Sequence, residues 1–252
     1  RPDAVPIAGG TDVMVELNFD RARPEALLNL NEVPELREWG REDGTLRLGA
    51  GLTFTELMEP PLAGAVPALA EASRTVGGPQ IRNRGTIGGS IAHADAAAEY
   101  PVVAMVLDAR VEAESPRGRR TLSASDFFTG MWSTELAADE LLTGIVFPAR
   151  RGRCGFAIEE FARRSGDFAL AGAAVVVGLD ADSHIDRCGI GLFGLGPTPS
   201  RATATAAPVE HTLGESRHDA ADADAHDHAE HGGDNRVDRA FHAKGPHELI
   251  AL

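Results

Sequence analysis

The chain has 252 residues, 43% of them hydrophobic and 25% charged, with a formal net charge of −14. That length buries a sizeable core in one large domain or two modest ones, and the composition is that of an ordinary globular protein rather than a fibrous one. The negative charge opposes a phosphate backbone, and the basic clusters at Arg117, Arg119 and Arg120 and at Arg150, Arg151 and Arg153 are short and lack interleaved aromatics, which argues against nucleic acid as a partner.

Residues 4 to 8 (A-V-P-I-A) form a short apolar run that reads as a strand ending at Gly9-Gly10-Thr11-Asp12, after which V-M-V-E-L-N-F continues as helix or strand. L-L-N-L at 27 to 30 and the alternating T-L-R-L-G-A at 45 to 50 predict two further strands. Thr53 and Glu56 have the spacing of a capping box, which starts a helix there. From Ala63 to Ser73 apolar residues recur at helical spacing and deliver the chain to T-V-G-G-P-Q-I-R-N-R-G-T-I-G-G at 75 to 89, where glycines cluster. Pro101 to Ala109 predicts a second apolar helix or a helix–strand junction. V-E-A-E-S and T-L read as the arms of a hairpin across R-G-R-R, and Leu141 to Pro148 reads as a strand. The stretch from Arg150 to Gly155 is a plausible linker between domains. Beyond it F-A-I-E-E-F-A-R-R, F-A-L-A-G-A-A-V-V-V-G-L and I-D-R-C-G-I-G-L-F-G-L predict three strands, the last two joined by the turn D-A-D-S. After about residue 203, Ala, Asp, His and Arg dominate. Such a segment cannot bury enough apolar surface to offset its ordering entropy, so disorder is expected.

No apolar run approaches the roughly 20 residues that cross a bilayer, and the start R-P-D-A-V-P lacks the basic and apolar parts of a signal peptide, so a cytoplasmic protein is expected. Cys154 and Cys188 are too few for a Cys₄ iron–sulfur cluster or a zinc ribbon.

Consecutive glycines after a strand let several backbone N–H groups point to one side. A-G-G-T-D at 8 to 12 therefore reads either as a tight turn or as a phosphate-holding loop to which Thr11 and Asp12 add side-chain bonds. T-I-G-G-S at 86 to 90 repeats the design, and two such loops converging on one pyrophosphate suit a dinucleotide. Neither is a G-x-G-x-x-G or a G-x-x-x-x-G-K-[ST], which disfavours a Rossmann site or a P-loop. Arg82 and Arg84 would share one face of a strand and suit either a phosphate contact or a structural brace. His93, Asp95 and Glu99 lack the spacing of ligands on one helix face, so no metal is expected there. Glu99, opening the next helix, is better placed to accept from a sugar hydroxyl. His226, His228 and His231 would hold a transition metal only weakly.

P-I-A-G-G-T-D, T-V-G-G-P-Q-I-R-N-R-G-T-I-G-G-S-I-A-H-A-D-A-A-A-E-Y-P and R-R-S-G-D-F-A-L-A-G resemble the flavin-binding medium subunit of molybdenum hydroxylases, the family of xanthine dehydrogenases and aerobic carbon monoxide dehydrogenases. The match runs from residue 1 to about 203. The resemblance implies an α+β fold: a two-lobed FAD-binding domain of the type shared with vanillyl-alcohol oxidase and the cell-wall reductase MurB, followed by a small α+β C-terminal domain. The domains implied are 1–149, with lobes at about 1–50 and 51–149, then 150–203, then the tail at 204–252. By the same resemblance Ala8, Gly9, Gly10, Thr11 and Asp12 with Thr86, Ile87, Gly88, Gly89 and Ser90 would hold the FAD pyrophosphate. Val76 would lie on the adenine side, Glu99 at the position of a family acid that contacts FAD, and Leu142 in the strand against the cofactor. Near R-R-S-G-D-F the family places an aromatic or a lysine beside the isoalloxazine, where this chain has Ile158 and Glu159.

The resemblance further implies a large molybdenum-cofactor subunit and a small [2Fe-2S] subunit as partners, in a dimer of heterotrimers, with FAD passing electrons to NAD, quinone or oxygen. No side chain of this chain need act as acid or base. Relative to the family the chain begins late and its tail departs from the usual helical close, so an incomplete first lobe and second domain are expected. Two rival readings are a stand-alone flavin reductase or oxidase on the same fold and a cofactor-free interaction subunit.

Overall fold

The computed structural model describes residues 4–149 and 152–202; the expected tail and the histidines within it lie outside the described residues. The chain opens with β1 (Val5–Ile7), α1 (Val13–Asn18) and β2 (Leu27–Asn29). β2 lies parallel to β1 with Val5 opposite Leu27, so α1 is the crossover that a parallel pair requires. α1 and β2 contain no buried residue, and Phe19 just beyond the helix is 68% exposed.

β3 (Trp39–Glu42) and β4 (Thr45–Gly49) follow, then the helices α2 (Phe54–Leu57), α3 (Leu62–Ala65), α4 (Pro67–Thr75), α5 (Pro79–Arg82), α6 (Ile87–His93) and α7 (Glu99–Val106). The capping box at Thr53 forms in both directions: Thr53 N–H donates to Glu56 Oε2 at 2.8 Å and Glu56 N–H to Thr53 Oγ1 at 3.3 Å. The helix expected over 63–73 is two helices. Val66 precedes Pro67, and that proline pushes it out of the helical region, to φ −139° and ψ 81°. Arg82 and Arg84 lie on and after a helix rather than on a strand.

β5 (Arg110–Ser115), β6 (Gly118–Ser123), α8 (Ala124–Phe127), β7 (Phe128–Gly130), β8 (Ser133–Thr134) and β9 (Leu141–Pro148) complete the N-terminal part. The β5–β6 hairpin turns at Pro116-Arg117, and most of R-G-R-R belongs to β6, where Arg119 reaches across to Glu114 at 2.8 Å. The main sheet has the order β3-β4-β9-β5-β6, every neighbouring pair antiparallel. β9, apolar almost throughout, is its central strand; β3 and β4 join residues 110–148 through it. The register shifts between Glu112 and Ala113, leaving Thr143 of β9 as the extra residue, and this bulge bends the strand beside Leu142.

The C-terminal strands β10 (Arg153–Phe161), β11 (Ala171–Leu179), β12 (Ile185–Phe193) and β13 (Ser200–Arg201) make a second antiparallel sheet in sequence order. α7, all eight of whose residues are buried, packs on β11 and β12 of this sheet and against α4 and α6. Arg187 and Arg201 both donate to the carbonyl of Val106 at its C-terminal end, at 3.0 and 3.1 Å, and both bond Asp108. Cations at a helix C-terminus satisfy carbonyls that have no partner within the helix. Among the described residues no helix is long and apolar enough to cross a membrane.

Candidate functional site

A cleft of about 420 Å³ runs between the β1–α1 loop, the start of α6, the start of β9 and a turn of the C-terminal sheet. From the first loop it is lined by Ala8, Gly9, Gly10, Thr11 and Asp12, and from the second by Thr86, Gly88, Gly89 and Ser90. Val76, Glu99 and Leu142 also line it. Ile87 does not: its side chain is fully buried in the core and its N–H is donated to Leu52 O at 2.9 Å.

The two glycine segments meet this cleft differently. T-I-G-G-S is not a loop but the capped start of α6, with Thr86 as N-cap accepting from Gly89 N–H at 3.0 Å. Gly88 N–H is donated to Ala50 O at 2.9 Å. All three N–H groups at this helix start are therefore bonded within the protein. In A-G-G-T-D, by contrast, the N–H groups of Gly9, Gly10, Thr11 and Asp12 make no hydrogen bond among the described residues. Gly10 sits at φ +78°, a conformation that glycine adopts without the Cβ penalty. Consecutive free N–H groups in a loop are an anion-binding arrangement that needs no cation, and none is supplied: among the described residues no Arg or Lys lines the cleft. Arg82 is a brace, its Nη1 donating to the carbonyls of Val76 and Gly77 at 3.0 and 2.7 Å.

Five carboxylates reach the cleft, and they differ in their partners. Asp12 Oδ1 faces His93 Nε2 at 3.8 Å. Asp95 accepts from Ala97 N–H at 2.8 Å and from the Trp132 indole at 3.2 Å. Asp167 accepts from Arg164 at 3.1 Å. Glu140 is held by both arms of Arg120 at 2.7 Å, which with the Ala137 N–H pulls its pKa down to about 2. Glu99 is different. It accepts a long bond from Thr75 Oγ1 at 3.4 Å and one from its own backbone N–H, yet burial, reinforced by the charges of Glu160 and Asp95, pushes its pKa up to about 7. Of the five, Asp167 and Glu140 are paired with an arginine.

The C-terminal sheet contributes Gly166, Asp167 and Phe168, with Gly166 packed so closely on Gly77 that a Cβ there would lie 3.0 Å from its carbonyl. Near R-R-S-G-D-F it is Phe168, 59% exposed, that reaches the cleft; Ile158 is buried and Glu159 lies on the surface. Sequence reasoning passed over Phe168, Leu136, Glu140 and Leu141, whose place depends on contacts distant in the chain.

Residues 1–150 match the FAD binding domain in molybdopterin dehydrogenase, and residues 156–241 match the CO dehydrogenase flavoprotein C-terminal domain. The chain belongs to the family of FAD-binding medium subunits of molybdenum hydroxylases. The nicotine 6-hydroxylase medium subunit of Paenarthrobacter nicotinovorans is 42% identical over 193 residues, 76% of this chain and 67% of that protein. The carbon monoxide dehydrogenase medium chain of Hydrogenophaga pseudoflava is 37% identical over 200 residues, 79% and 69% of the two chains. A solved structure of carbon monoxide dehydrogenase from the same organism, lacking the Mo-pyranopterin moiety of its molybdenum cofactor, superposes with a TM-score of 0.77 at 38% identity, covering 80% of this chain and 70% of the other.

As a medium subunit of this family the protein is an oxidoreductase component whose cofactor is FAD. The residues present fit that group. The first loop offers unbonded N–H groups of the kind that bind phosphate, the cleft lies within the roughly 300–1,000 Å³ of small-molecule sites, and Val76, Leu142 and Phe168 give it apolar walls.

Proposed function

We propose that this medium subunit takes electrons from [2Fe-2S] clusters on a small partner subunit and delivers them to an external acceptor, NAD, quinone or oxygen. FAD bound in the cleft supplies the exchange between one-electron and two-electron chemistry. A large partner carries the molybdenum cofactor and chooses the organic substrate, and the assembly is a dimer of heterotrimers in the cytoplasm. Residues 1–149 form the FAD-binding domain and 150–203 the C-terminal domain.

The N–H groups of Gly9 to Asp12 hold the pyrophosphate, with Ala8 beside them and the hydroxyls of Thr86 and Ser90 facing it across the cleft, where Gly88 and Gly89 leave room. Val76 lies against the adenine, Glu99 accepts from a sugar hydroxyl, and Leu142 supports the ring system. The chain's own side chains bind and orient, and no proton transfer is assigned to them. The observation that carries this reading is that residues far apart in sequence, from Ala8 to Leu142, converge on one cleft whose first loop keeps unbonded backbone donors.

The test is the visible absorption spectrum of the purified chain, with heat release and mass identification of any yellow cofactor. FAD at about one per chain is expected. A colourless protein that also takes up no added FAD would sink the reading. Mixing the reduced flavoprotein with NAD, a quinone and oxygen in turn identifies the acceptor as the one that reoxidises it fastest.

A further inference from the structure

Leu136, Glu140, Leu141 and Leu142 form one wall of the cleft. Leu136 and Glu140 lie on a segment, Glu135 to Glu140, that has no regular structure of its own and leads into β9, where Leu141 and Leu142 sit. Two arginines of the β5–β6 hairpin hold this segment from outside: Arg117 pairs with Asp139 in its middle, and Arg120, on the edge strand β6, binds both its ends. Arg120 Nε donates to Glu140 Oε1 and its Nη2 to Glu140 Oε2, both at 2.7 Å, and the same Nη2 donates to the carbonyl of Glu135 at 2.6 Å. Glu140 Oε2 closes the loop by accepting the N–H of Ala137 at 2.8 Å. The guanidinium thus grips both ends of the loop, and the carboxylate grips its middle.

The asymmetry of exposure is informative. The Glu140 side chain is 6% exposed and faces the cleft, whereas that of Arg120 is 43% exposed and lies outside it. Forked guanidinium–carboxylate geometry fixes orientation as well as distance. The next residue along, Leu141, begins β9, so the clasp also sets where that strand enters the cleft ahead of the bulge at Thr143.

We propose that Arg120 is a positioning residue for the flavin: without touching the cofactor, it holds the Glu135–Leu142 wall in place through Glu140. This rests on FAD occupying the cleft. Arg119, its neighbour on β6, pairs with Glu114 at 2.8 Å and has no part in the cleft, which makes it the control.

The full chain, stripped of flavin, is titrated with FAD while flavin fluorescence is followed, and visible circular dichroism of the bound flavin is recorded. R120A and R120K are expected to bind FAD about tenfold or more weakly, the scale seen when a group supporting a ligand from behind is lost, with an altered visible dichroism band. E140Q, which keeps shape but loses the charge, is expected to fall between them and the parent, and R119A to match the parent. R120K retains the cation on the hairpin, so it decides the matter if R120A does not fold. FAD affinity and visible dichroism in R120K within about twofold of the parent would overturn the proposal while leaving FAD binding intact. A parent chain that takes up no FAD would overturn both.

Discussion

Gly9 and Gly10 end a strand and leave four backbone N–H groups unbonded among the described residues; Gly88 and Gly89 start a helix whose first three N–H groups are bonded to Leu52 O, Ala50 O and Thr86 Oγ1. The two pairs nevertheless share a use. A Cβ on Gly9 would lie 2.1 Å from the Arg84 carbonyl oxygen, and on Gly88 2.4 Å from Ala50 Cβ. Both glycines let one backbone segment lie against another, so a glycine pair after a strand reports close packing first. Whether it also offers donors to a ligand depends on what the neighbouring segment takes.

The largest expected effect breaks both sites at once. Gly9→Val and Gly88→Val collide with backbone, and each should cost about 3 kcal/mol or more of folding stability, measured by denaturant unfolding of the FAD-free chain. Variants that fold like the parent but lose FAD would show instead that these glycines serve the phosphate directly. Gly10→Ala separates the two uses. Its Cβ meets only side chains, Ile7 and Met14 at 3.3 and 3.4 Å, but its φ is +78°. A strain of about 1–2 kcal/mol in the loop that carries the free donors should weaken FAD about tenfold or more with cooperative unfolding preserved. Unchanged affinity in a titration would remove the first loop from the site.

On the other side of the comparison, Thr86→Val removes the acceptor for Gly89 N–H and should lower stability by about 1 kcal/mol; Thr86→Ser should restore it, and equal melting of all three chains would mean that the cap contributes nothing. The remaining effect depends on pH and concerns Glu99. Its carboxyl rises from an unfolded value of 4.5 to about 7, so the folded chain binds that proton more tightly. Its burden on stability is absent below pH 4.5, grows as pH rises to 7, and is full above that. Glu99→Gln should therefore match the parent near pH 4 and melt higher at pH 8. A parallel pair of curves across that range would refute it.

Local rules carried the reading as far as local forces decide. The capping box at Thr53, the strand at Leu141–Pro148 and the three C-terminal strands are visible in the residues themselves because each depends on neighbours within a few positions. Trp39–Glu42 carries no strand signal because all four residues of that edge strand are exposed and no alternation marks it. T-I-G-G-S reads as a loop because two glycines disfavour helix; close packing on Ala50 and the Thr86 cap override that preference. Arg82 could not be assigned between ligand and brace, since its partners are carbonyls that sequence does not mark. The wall at 135–142 depends on an arginine at 120, a pairing that no window of consecutive residues contains.

The β1–α1–β2 unit carries the loop with the free donors, yet its helix and second strand contain no buried residue. A unit with so little core of its own has a low free energy of local opening, and any ligand that binds only its closed form stabilises it by mass action. In the FAD-free chain, residues 13–30 should then exchange amide hydrogens and be nicked by a protease ahead of the two main sheets. With flavin bound they should be protected nearly as well as the central sheet. Loading the cofactor would, in that sense, be the last step of this unit's folding.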